Sequence, residues 1–109
     1  MYTIIETPIF TKMVDEILSE EERNELFVYI AQNPDAGDIV QESGGCRKVR
    51  WNIPGSGKSK GVRIIYYNEL ENGYINLLII YKKSETENIP AHILHKLQKK
   101  MKESKHGKK

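Results

Sequence analysis

Only one cysteine, Cys46, occurs in 109 residues. That excludes a disulfide framework and a cysteine-based zinc finger together. Long apolar runs are also missing: the stretch around Leu77 to Tyr81 is far too short to cross a bilayer. The opening Met1-Tyr2-Thr3-Ile4-Ile5-Glu6 has no basic segment leading into an apolar one, so no signal peptide is expected. There is no internal repeat and no linker. With 39% hydrophobic and 29% charged residues, the chain does not have a disordered profile. The expectation is one small cytoplasmic domain over residues 1–109, without a separate cofactor domain, ending in a basic tail over about 102–109.

Charge is present in both signs but divided along the chain. Residues 1–45 carry ten acids against two bases, whereas residues 46–109 carry fifteen bases against five acids. Such a dipolar chain can attract a polyanion although its net charge is only +2. Six of the lysines fall between Lys99 and Lys109, where a solvated tail accounts for them; the nine bases between Arg47 and Lys96 need another explanation.

Tyr2 to Glu6 is β-rich, and Thr7-Pro8 reads as a helix start. Phe10, Met13, Val14, Ile17 and Leu18 form one helical stripe. Ser19-Glu20-Glu21-Glu22 matches a capping box for a second helix, with Leu26, Phe27, Ile30 and Ala31 as its buried face and Asn33-Pro34 as its stop. The period then changes to two. Asp38 to Gln41, Cys46 to Ile53, Val62 to Asn68 and Tyr74 to Tyr81 are the expected strands, the last two forming a hairpin through Glu69-Leu70-Glu71-Asn72-Gly73. A final helix follows Asn88-Ile89-Pro90, with Ile89, Ile93, Leu97 and Met101 as its stripe. The order β-α-α-β-β-β-β-α predicts an α+β fold, with a mainly antiparallel sheet packed against two N-terminal helices and one C-terminal helix.

Several chemistries lack their residues. Gly55-Ser56-Gly57-Lys58-Ser59 ends like a phosphate-binding loop but has the wrong glycine spacing and no following helix. His92 and His95 have no partners for a metal site, so no metal and no cofactor is expected. Cys46 reads as a neutral strand cysteine. Cations on strands, by contrast, are prominent. Lys48 and Arg50, two apart, share one strand face; Arg63 sits mid-strand; Lys82 and Lys83 follow Tyr81. Converging, they make a basic cleft flanked by Tyr66, Tyr67 and Tyr81 that suits RNA phosphates and unpaired bases. Alternatively they snorkel at sheet edges and pair with Glu42, Glu69 or Glu85.

Three segments in order, Gly44-Gly45-Cys46-Arg47-Lys48-Val49-Arg50, Gly61-Val62-Arg63-Ile64-Ile65-Tyr66-Tyr67 and Leu77-Leu78-Ile79-Ile80-Tyr81-Lys82-Lys83-Ser84-Glu85, resemble the RelE/HigB family of bacterial toxins, the HigB-like branch most closely. The resemblance covers nearly the whole chain. It implies a RelE/ParE-like fold and a ribosome-dependent mRNA endoribonuclease of a type II toxin–antitoxin system. Its implied partners are the mRNA in the small-subunit decoding site, a cognate helix-turn-helix, HigA-like antitoxin, and operator DNA only through the antitoxin complex. Lys48, Arg50, Arg63 and Lys83 match the family's catalytic cations, with Arg47, Lys58, Lys60, Tyr66, Tyr67, Tyr81 and Lys82 as RNA-binding candidates. Implied roles are Lys48 as base or proton shuttle, Arg63 as the clamp on the phosphate oxygens, and Arg50 and Lys83 as charge stabilisers or proton donors. Ile89 stands about where some relatives carry a base-stacking tyrosine. Related folds also include ParE-like gyrase inhibitors, and a non-enzymatic nucleic-acid-binding module would use the same cations.

Overall fold

The computed structural model describes residues 2–52, 61–86 and 88–106. Strand β1 (Thr3–Glu6) leads into helix α1 (Pro8–Ile17) through Thr7, whose hydroxyl accepts from the Phe10 amide at 3.0 Å and donates to the Leu78 carbonyl at 2.7 Å. One side chain thus caps the helix and ties it to the sheet. Helix α2 (Glu20–Gln32) begins with the expected capping box, Ser19 and Glu22 bonding reciprocally at 3.2 and 2.8 Å.

Strand β2 is only Asp38–Ile39, shorter than the alternation predicts. The chain turns at once because Ser43 donates to the Val40 carbonyl and Glu42, Gly44 and Gly45 all take positive φ. Strands β3 (Arg47–Trp51), β4 (Val62–Glu69) and β5 (Tyr74–Lys82) follow, and a 3₁₀ turn at Leu70–Asn72 closes the last hairpin. Helix α3 (Ala91–His106) ends the described chain. The sheet order is β1-β5-β4-β3-β2, antiparallel throughout except for the parallel β1–β5 pair. This is the expected α+β architecture. Among the described residues no helix is long and apolar enough to cross a membrane.

The sheet is buried on both faces. Phe10, Val14, Leu26 and Ile30 from α1 and α2 cover Val49, Ile64, Tyr66, Leu77 and Ile80. Across the sheet, Leu94, Leu97 and Met101 of α3 cover Cys46, Ile65, Leu78 and Tyr81. Three of the four predicted stripe residues, Ile89, Leu97 and Met101, pack here, but Leu94 is the deepest residue of α3 and Ile93 is exposed. A register shift lets β5 serve both cores. Ile65 faces Ile79 but Tyr66 faces Leu77, so Leu78 has no opposite number.

Cys46 is fully buried, and its thiol contacts the Ser43 and Leu94 carbonyls. Burial pushes its pKa up, partly countered by the Ser43 hydrogen bond, which agrees with a neutral cysteine, although β3 begins one residue later than expected and Cys46 lies just before it. Tyr66 is a structural residue. Fully buried, its hydroxyl accepts from the Gly37 amide at 2.9 Å and donates to the Pro34 carbonyl at 2.8 Å. Removing that hydroxyl strands a buried amide, so Tyr66→Phe should cost about 1–3 kcal/mol in urea unfolding. An unchanged midpoint would show that the loop does not depend on it.

Candidate functional site

Strand register brings the cations together. Arg50 on β3 lies directly opposite Arg63 on β4, which lies opposite Tyr81 on β5. Cross-strand partners share a face, so both guanidinium groups stand on the α3 side of the sheet. Lys48, two residues back on β3, projects from the same face with Asp38 of β2 opposite it. Lys83 directly follows β5; its amide donates to the Gly61 carbonyl at 3.2 Å, which pins the end of β5 to the start of β4.

Lys48, Arg50, Arg63 and Lys83 all line one cleft of about 700 Å³, with Asp38, Asn88 and Tyr29 among the other walls. The Lys48 ammonium donates to Asn88 Oδ1 at 3.2 Å, and Arg63 Nη1 has a long contact of 3.4 Å to the Val62 carbonyl. Among the described residues none of the four cations forms an ion pair. Tyr81, opposite Arg63, is buried in the core beneath α3. Burial raises its phenol pKa, and the nearby guanidinium pulls it partly back. Because β2 begins only at Asp38, opposite Lys48, the outer edge of β3 beyond Lys48 has no ladder partner, and the cleft reaches round it to Tyr29. An open cleft with several cations at neighbouring sites and one carboxylate, Asp38, is suited to an anion with several oxygens, such as a phosphodiester.

Other expected site residues lie elsewhere. Arg47 has the opposite phase on β3; its guanidinium donates to the Gly37 carbonyl at 2.7 Å and pairs with Asp35 at 3.4 Å. It anchors the loop after α2 and does not line the cleft. Tyr66 is buried in the core between the sheet and α1/α2, and Tyr81 is only 4% exposed, so neither offers a ring face to a base. Tyr67 lines a different groove, at the other end of α3. Lys82 sits opposite Val62 and approaches Glu85 at 3.9 Å, one of the pairings considered from the sequence. Lys58 and Lys60 fall outside the described residues. Ile89 packs into the core beneath α3.

Three cleft residues escaped the sequence reading. Asn88 stands in a segment that reads only as a helix start, and Asp38 in one that reads only as a strand; register alone places Asp38 beside Lys48. Tyr29 lies off the apolar stripe of α2. Its ring packs at 5.3 Å from that of Trp51, so the aromatic surface nearest the cations comes from a helix and not from the tyrosine-rich strands.

Like charges placed directly opposite on a sheet destabilise it by about 0.2–1 kcal/mol. Arg50→Gln and Arg63→Gln should therefore each leave the fold equally or slightly more stable in thermal melts, while lowering the salt concentration at which the protein leaves a heparin column. Lower stability with unchanged retention would assign the arginines a structural role.

No family model matches the sequence. Among solved structures, the chain is similar in fold to the free-state structure of an E. coli RelE toxin mutant, in which two arginines are replaced by alanine. The TM-score is 0.56 with 19% sequence identity, over 79% of this chain and 87% of that one. Three helices on a five-stranded sheet in this arrangement make the fold of this chain RelE-like.

Proposed function

We propose that the chain is a single-domain toxin of a type II toxin–antitoxin pair, of the HigB-like branch, acting in the cytoplasm as a ribosome-dependent mRNA endoribonuclease. The observation that carries this reading is the meeting of Lys48, Arg50, Arg63 and Lys83 in one open cleft, none of them in an ion pair among the described residues. The fold shared with a RelE toxin supports it.

The reaction suited to such a site uses the substrate's own 2′-hydroxyl as nucleophile. Its oxygen bonds to the adjacent phosphorus, the bond to the 5′-oxygen breaks, and a cyclic phosphate and a free 5′-hydroxyl result. Lys48, held toward Asn88, either takes the 2′-hydroxyl proton as the neutral amine, becoming ammonium, or shuttles it, passing one of its own ammonium protons to a phosphate oxygen as it receives it. Arg63 grips the non-bridging oxygens with two parallel donors, a contact that strengthens as charge develops on phosphorus. Arg50 and Lys83 add positive charge, and either can supply a proton to the leaving oxygen. The chain's own cations thus balance the phosphorane, and cleavage proceeds without a metal.

None of these groups is a strong base, so alignment must supply much of the rate. Correct orientation can contribute about 7–11 kcal/mol. A cleft open at the sheet edge cannot impose it on free mRNA, whereas the decoding site already holds the transcript in a set path. Restraint of the toxin falls to a cognate helix-turn-helix, HigA-like antitoxin, through which the pair reaches operator DNA.

Purified ribosomes programmed with a defined mRNA test this reading. Wild-type protein should cut the transcript equally well after treatment with a chelator and should leave naked mRNA intact. Arg63→Ala should lower the rate at least ~100-fold while keeping the wild-type circular dichroism spectrum. Rapid cutting of naked mRNA, or recovery only on adding metal, would overturn the mechanism. Intact mRNA together with blocked DNA supercoiling would make the protein a gyrase inhibitor.

A further inference from the structure

At the far end of α3 from the cleft lies a second groove of about 710 Å³. Gly44 lines its floor, in the turn Ser43-Gly44-Gly45, whose glycines take φ of +80° and +100°. A Cβ at Gly44 would lie 2.7 Å from both His95 Cδ2 and Gln98 Oε1, and one at Gly45 would lie 3.5 Å from Tyr67 Cε1. The missing side chain of Gly44 therefore lets the His95 ring and the Gln98 amide sit close on the turn, with the Tyr67 ring beside Gly45. Lys99 and Lys102 also line the groove, together with Glu103. Gln98 is only 5% exposed, and among the described residues its amide has no hydrogen-bond partner.

We infer that this groove is a second RNA-binding site, distinct from the cleft, which takes an unpaired nucleotide with its base against Tyr67 and Gln98 and its phosphate between Lys99 and Lys102. The inference rests on the preceding section only in taking RNA as the partner. Tyr67 is half-buried and packs against the core beneath α3, so stacking a base on it costs little side-chain freedom. Gln98 offers a donor and an acceptor from one buried position, which matches the mixed edge of a nucleobase. Lys99 and Lys102 are neighbours at helical spacing. Along α3, five lysines stand against the single acid Glu103, a field that favours an anionic partner. An acidic peptide would meet the charge but would leave the ring and amide without matching flat partners.

The groove is not an extension of the cleft. Tyr67 lies four residues from Arg63 on the same face of β4, about 13 Å along the strand, with Ile65 between them beneath α3. An RNA in the cleft reaches the groove only by rounding that helix, or a second RNA segment fills it.

The test uses the full chain with a fluorescently labelled, unstructured 12-nucleotide RNA carrying 4-thiouridine, without ribosomes. Arg63→Ala should retain measurable binding by anisotropy and crosslink RNA to Tyr67 or its neighbours. Adding Tyr67→Leu and Lys102→Ala should weaken the remaining binding about tenfold or more. Lys102→Ala alone, an exposed change that spares the core, should weaken it part of the way. Binding that disappears with Arg63→Ala, or crosslinks confined to the cleft, would overturn the second site. So would protection of Lys99 and Lys102 from acetylation by a polyglutamate peptide but not by the RNA. Ribosomal cleavage is scored separately: normal cleavage with an empty groove sinks this inference alone, and groove binding without any cleavage sinks only the nuclease reading.

Discussion

Burial of β4 on both faces is the constraint on which the rest of the molecule depends. Its residues alternate between two cores, Val62, Ile64 and Tyr66 turning toward α1 and α2, and Ile65 turning toward α3. A slip of one residue would exchange the two sets and place the Tyr66 hydroxyl where nothing answers it. The register of β4 is therefore strongly specified. Because Arg63 lies in the same strand, its placement opposite Arg50 is specified along with it. The cations do not assemble the cleft; the apolar residues on either side of them do.

Arg47 and Tyr66 support the cleft from behind. Both hold the loop at Pro34 to Gly37 from the α1/α2 side of the sheet. That loop delivers Asp38 to its place beside Lys48. The walls of the site thus rest on hydrogen bonds that never meet a ligand, which explains why polar groups are retained inside an otherwise apolar layer.

Much of this was legible in the sequence. The capping box at Ser19, the two helical stripes, and the pairing of β4 with β5 each follow from local chemistry or periodicity, and the structure contains them. The shared face of Lys48 and Arg50 follows from a spacing of two. Neighbours that depend on register were not legible: Asp38 opposite Lys48, Asn88 reaching back across forty residues, and Tyr29 arriving from a helix. The tyrosines show the same limit. Four occur on β4 and β5, but composition does not say which face each one takes, and the structure assigns Tyr66 to a hydrogen-bonded core, Tyr81 to the core beneath α3 and Tyr67 to a separate groove.

The unpaired Leu78 has a consequence for the reading frame of side chains along β5. Before it, odd-numbered positions such as Ile75 and Leu77 belong to the α1/α2 core; beyond it, Ile80 does, and Ile79 and Tyr81 belong to the α3 side. One residue thus reverses the parity of the strand. Lys83 inherits the reversed parity and so emerges on the same side as Arg63. The same strand paired without this bulge would keep every cation and send the last of them out through the opposite face of the sheet. The completeness of the cationic set depends on an irregularity at a leucine that carries no charge.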